Sequence, residues 1–210
     1  MGQMMASMSD FLKKVATAAG RGIEFLLTGQ TSFAIITSEF QDFERVTDLV
    51  KARRVLQEAR TALETRFGII VSRPVLLDLF DESGWSKAGV YRMLHGTLGH
   101  YQQQALGDTW AHGIRVVKGL PRGRFKAIVA HEMVHAWERE SEILKTDRAL
   151  REGFARWVEY KVLQSEGLHA EAARVARIRT WRYGRGIRTL LAVEKRCGEQ
   201  GVLDFVRRVA

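Results

Sequence analysis

Residues 131–135 read HEMVH. On an α-helix, positions i and i+4 lie one above the other, one turn apart. His131 and His135 can therefore grip one metal ion from the same face, and Glu132 can approach the position where a metal-bound water sits. The chemistry implied is hydrolysis, with Glu132 as general base toward a zinc-activated water. A catalytic zinc ion usually takes three protein ligands and leaves one position open. Glu152 lies seventeen residues beyond His135, enough for a helix to finish and the chain to return, so His131, His135 and Glu152 are the expected ligands of one Zn2+. Glu159, seven residues further on the same face, is the rival for the third place.

The bland alternative is a pair of surface histidines. It fits poorly, because the motif is embedded in the apolar run AIVAHEMVHAW, 127–137, where unpartnered polar groups would be costly. Metal binding resolves that cost. His95, His100 and His169 have no motif around them and read as ordinary surface or loop residues.

The elements that must position these side chains follow from pattern and punctuation. No Gly or Pro interrupts Arg124 to Asp147, while Pro121 and Gly123 stand where a helix can begin. This places an active-site helix at about 124–140 and a second, ligand-bearing helix at about 147–165. Gly153, next to Glu152, would let those two helices pack closely. Upstream, Asp42 to Phe67 reads as a helix with Phe43, Val46, Val50, Leu56, Ala59, Leu63 and Phe67 on its inner face, ended by Gly68. Ile69 to Phe80 is β-rich, Ser83 and Gly84 mark a turn, residues 90–104 suggest a further strand or two, and Gly113 to Leu120 reads as a strand. That last segment is expected to line the cleft and hold an extended substrate by main-chain bonds. Helix, small sheet, then helices is an α+β order: a small mixed or antiparallel sheet packed on the HExxH helix, with a C-terminal helical part. Residues 1–67 read as an N-terminal helical lead, within which Phe11, Leu12, Val15 and Ala19 form a short apolar face, and 68–210 as the catalytic domain.

Composition bounds the rest. The chain has 210 residues, 46% hydrophobic and 27% charged, which suits a soluble globular protein. The lone Cys197 excludes an intrachain disulfide and a cysteine-based zinc knot, and the simplest reading is a reducing, cytoplasmic setting. No run of about 18 apolar residues exists, so no membrane span is expected, and neither a secretory signal nor a myristoylation pattern can be placed. The net charge is +9, and residues 172–210 carry ten basic against three acidic residues. This face reads first as a solvated arginine-rich helix surface. Arginines interleaved with Trp181 and Tyr183 are compatible with nucleic acid, but no nucleic-acid motif accompanies them and none is expected as partner.

The blocks GLP at 119–121, AHEMVHAW at 130–137, EGF at 152–154 and YGRGIRTLLAVEK at 183–195 together resemble, in order, the peptidase domain of the DA-one family, plant regulators of organ growth. The resemblance spans about residues 68–210. It implies a zincin-like, glutamate-ligand zinc metalloendopeptidase acting on a protein or peptide, with His131, His135 and Glu152 on the metal and Glu132 as base. Within the closing block, Tyr183 is the first candidate to stabilise an oxyanion, and His112 is a second. The plant proteins also carry ubiquitin-interacting segments and a cysteine-rich zinc module. With one Cys here that module is absent, so ubiquitin-linked control does not transfer and the chain resembles a stand-alone relative. One departure stands out: where thermolysin-like enzymes place an Asp four residues after the ligand Glu, this chain has Arg156, so orientation of a zinc-binding His must come from Glu159 or a backbone carbonyl. The alternative in another class is a non-catalytic zinc-containing module acting through the basic C-terminal face.

Overall fold

The computed structural model describes residues 44–81, 98–141, 147–178 and 181–209, the side chains of 181–183 excepted. All lie in the unit that runs from Ser38 to Ala210. The expected N-terminal apolar face at 11–19, the turn at Ser83 and Gly84, and His95 lie outside the described residues.

The chain order is β1 (Arg45–Val46), α1 (Leu49–Phe67), β2 (Val75–Phe80), β3 (Gly99–Leu106), β4 (Thr109–Val117), β5 (Leu120–Pro121), α2 (Arg122–Ser141), α3 (Arg148–Ser165), α4 (His169–Ala176) and α5 (Trp181–Arg208). This is a mixed α+β arrangement. The first helix starts at Leu49 rather than Asp42. Asp48, in extended conformation, caps it by accepting from the Lys51 N–H, and Val46 is instead drawn into a short antiparallel pairing with Leu120. Ala59, Leu63 and Phe67 face inward as expected and Leu56 packs against the core. Ala52 and Val55 join them, while Val50, expected inside, is 73% exposed. Gly68 ends the helix as read, at φ 61°, with its N–H on the Glu64 and Leu63 carbonyls.

Three strands form the larger sheet in the order β2-β4-β3, with β2 parallel and β3 antiparallel to β4. The segment expected to line the cleft is therefore wrongly placed. From Gly113 to Val117 it is the central strand, bonded on both sides, and has no free edge to offer a substrate. The outer strand on the helix side is β3. Among the described residues nothing pairs with its other edge.

One hydrophobic core joins α1, α2, α3 and α5. Phe67 of α1 meets Trp157 of α3 edge-on at 5.6 Å, and Phe154 stacks on Trp157 at 5.9 Å. Burying a side chain such as Leu63 or Phe67 contributes about 1.5–3 kcal/mol each, so the helix assigned to the lead packs in the same core as the motif helix. Polar ties reinforce it. Trp157 and Lys161 both donate to Glu194, and Lys161 and Arg66 both reach Glu199 at 2.7 Å, linking α1, α3 and α5.

Candidate metal centre

Helix α2 is buried all round from Ala127 to Glu138, which is where a helix enclosed by sheet and helices on several sides must be apolar. His131, Glu132, His135 and Glu138 break that rule, and each has a local explanation. His131 and His135 stand one turn apart with ring centroids 5.0 Å from each other. The His131 Nδ1 lies 3.1 Å from Glu159 Oε2, and the His135 Nδ1 lies 3.0 Å from Glu138 Oε2. A carboxylate at Nδ1 keeps the proton there and leaves the Nε2 lone pair for a metal.

Glu152 approaches from the first turns of α3. Asp147 caps that helix by accepting from the Ala149 and Leu150 N–H groups, which fixes where its second turn begins. Glu152 Oε2 lies 3.9 Å from His135 Nε2. One ligand atom from each of His131, His135 and Glu152 lies within 4.8 Å of the others. Glu152 keeps 20% side-chain exposure, so the cluster meets solvent on its side. Two imidazole nitrogens and one carboxylate oxygen, with both imidazoles oriented from behind, are a donor set suited to zinc.

Each supporting carboxylate is itself held by an arginine. Arg156 donates to Glu159 at 2.6 Å and Arg151 to Glu138 at 3.3 Å. Arg156, the departure noted in the sequence, is thus one step further out, gripping the acid that orients His131. Burial would raise the Glu159 pKa, but Arg156 and His131 outweigh it and bring it down to about 2. Burial opposes protonation of His135, yet Glu138, Glu132 and Glu152 outweigh it and push its pKa up. Glu132 behaves in the opposite sense to Glu159. Burial raises its pKa, and the neighbouring His131, His135 and Arg156 only partly offset that. A carboxylate with raised proton affinity beside two imidazoles and a second carboxylate is equipped to take a proton.

Glu132 is also held from the sheet. A Cβ built on Gly99 of β3 would fall 2.7 Å from Glu132 Oε1 and 2.6 Å from Ile128 Cγ2, so strand and helix touch there because that residue is glycine. Gly153 does permit a close helix approach, but to α5 and not to α2. A Cβ on it would fall 2.5 Å from Gly186 Cα. Helix α2 meets α3 instead through Trp137 and Phe154, with ring centroids 5.9 Å apart.

The oxyanion candidates fare differently. The side chain of Tyr183 lies outside the described residues. His112 is fully buried, with Nδ1 3.0 Å from the Tyr101 hydroxyl and Nε2 2.8 Å from Glu140. Both its nitrogens are engaged away from the metal cluster. Sequence reasoning did not single out Glu138, Arg151, Tyr101 or Glu140. Glu138 alone had a signal, three residues after His135 on the same helix face.

Residues 87–180 match the family model DA1-like, described as Protein DA1. The match includes the HEMVH and EGF blocks and stops before the closing block at 183–195. Comparisons with curated proteins and with solved structures find no match for the chain.

Proposed function

We propose that this chain, whose residues 87–180 match the DA1-like family model, is a zinc-dependent endopeptidase with a zincin-like site. The observation that carries the reading is the convergence of His131, His135 and Glu152 within 4.8 Å, beside a buried carboxyl, Glu132, whose pKa is raised.

His131, His135 and Glu152 would hold the ion. Zinc bound there would supply Lewis acidity, bringing a bound water toward ionisation at neutral pH and polarising a carbonyl. Glu132 accepts the proton from the attacking water and returns it to the leaving amine. Glu159 and Glu138 keep the two imidazoles aimed, and Arg156 and Arg151 hold those carboxylates in place. Tyr183 is proposed as the oxyanion donor, on its place in the closing sequence block.

The substrate is proposed to lie along β3. The Val117 N–H bonds the Leu98 carbonyl, so in the antiparallel ladder alternate residues Gly99, Tyr101 and Gln103 turn their main-chain groups to the free edge. That edge begins at Gly99 against Glu132 and passes Tyr101, whose ring centroid lies 6.4 Å from that of His135. An extended peptide added there would run past the catalytic carboxylate.

The test is turnover of a peptide library by the zinc-loaded protein, alongside Glu132→Gln. The expected result is cleavage by the wild type and loss of about 10²-fold or more in the variant with zinc content unchanged. Equal rates in the two proteins would rule the reading out.

A further inference from the structure

A cavity of about 400 Å³ opens beyond the His131–His135–Glu152 cluster, lined by Ser72, Arg73, Gln103, Trp110, Arg139 and Glu140. Arg139 stands one turn past His135 on α2, and Gln103 two residues past Tyr101 on the free edge of β3. The cavity therefore adjoins the metal cluster along the strand on which a peptide would lie.

Its charge is what sets it apart. The Arg73 guanidinium lies 4.2 Å from the Trp110 ring centroid and donates to Thr109 Oγ1 at 3.2 Å. Arg139 donates to the Gln103 side-chain carbonyl at 3.3 Å. Neither pairs with a carboxylate among the described residues. Both are held in place by neutral groups, which limits the ordering cost of binding an anion. The acid among the described wall residues, Glu140, is already committed. It accepts from the Ser72 and Arg73 N–H groups at 2.7 Å each and lies 2.8 Å from His112 Nε2.

We propose that this cavity is a specificity pocket that takes a carboxylate of the substrate, an Asp or Glu side chain of a peptide laid along β3, between Arg73 and Arg139. The inference rests on the peptidase reading for its orientation, but not for its binding chemistry. Guanidinium forks match carboxylates in geometry, and the Trp110 face holds the Arg73 guanidinium in place.

Fluorescence anisotropy with labelled decapeptides, in the zinc-loaded full chain, tests this independently of turnover. One peptide carries a single Glu and an amidated C-terminus, a second replaces Glu with Gln, and a third keeps Gln but has a free C-terminal carboxylate. The Glu peptide should bind about tenfold tighter than its Gln counterpart, and the preference should fall below about twofold in Arg73→Gln/Arg139→Gln with zinc content intact. Preference for the third peptide over the first would overturn the side-chain assignment, and equal binding of all three would overturn the pocket. Selective binding without cleavage would leave the pocket standing and remove the peptidase. Cleavage without Glu over Gln selectivity would do the reverse.

Discussion

Glu138 lies 3.0 Å from the His135 Nδ1, three residues further along the same helix. With Glu159 on the His131 Nδ1 at 3.1 Å, it completes a pair of buried carboxylates, one behind each imidazole and one from each helix.

If these contacts aim the ligands, Glu138→Gln and Glu159→Gln should each weaken zinc binding by about 10–100-fold without unfolding the protein. Competition against a chromogenic chelator measures this. Wild-type affinity in both variants would mean the imidazoles are held by packing alone.

Gly99 is the contact between the strand and the Glu132 carboxylate. Gly99→Ala would drive a methyl group into Glu132 Oε1 and Ile128 Cγ2. Peptide turnover should fall by about 10²-fold, the scale of a misplaced catalytic group, while bound zinc stays at one equivalent. A variant that turns over normally would show that Glu132 does not depend on the strand.

The Gly153 and Gly186 backbones touch where α3 crosses α5. Gly153→Ala puts a Cβ against backbone that cannot rotate aside, and overpacking of this kind costs about 1–3 kcal/mol. Thermal unfolding should register the loss even in zinc-free protein. An unchanged midpoint would contradict the tight crossing.

Acid stability should report the tie among α1, α3 and α5. The Arg66 hydrogen bond, together with Lys161 and against a modest burial penalty, lowers the Glu199 pKa to about 2. A carboxylate depressed in the folded state stabilises fully above its ordinary pKa and loses that contribution as pH falls toward 2. The wild type should therefore lose more stability than Glu199→Gln between roughly pH 5 and 2, as followed by denaturant titration. Parallel losses would show that the pair adds nothing.

The motif residues were legible because helical spacing alone fixes His131 and His135 on one face, and because polar groups in an apolar run demand a partner. Glu152 was legible from chain reach. Helix α1 was found with most of its inner face, but begun too early, since Asp48 caps it and Val46 serves a strand; local pattern does not register a two-residue pairing with Leu120 over seventy positions away. The same blindness to long-range pairing placed the Gly113–Val117 strand at an edge when it is central. The role of Gly153 was half read: its need for close approach follows from lacking a Cβ, but which helix comes close depends on tertiary packing. The Tyr101–His112–Glu140 set, drawn from two strands and a helix, has no spacing that a sequence could reveal.

The most direct test of the central claim is anomalous X-ray scattering at the zinc edge from crystals of the zinc-loaded protein. One strong peak per chain is expected, about 2.0–2.2 Å from His131 Nε2, His135 Nε2 and a Glu152 oxygen, with the remaining position held by water. A peak closed by a fourth protein ligand, or one that leaves Glu152 out with no other carboxylate in its place, would contradict that claim.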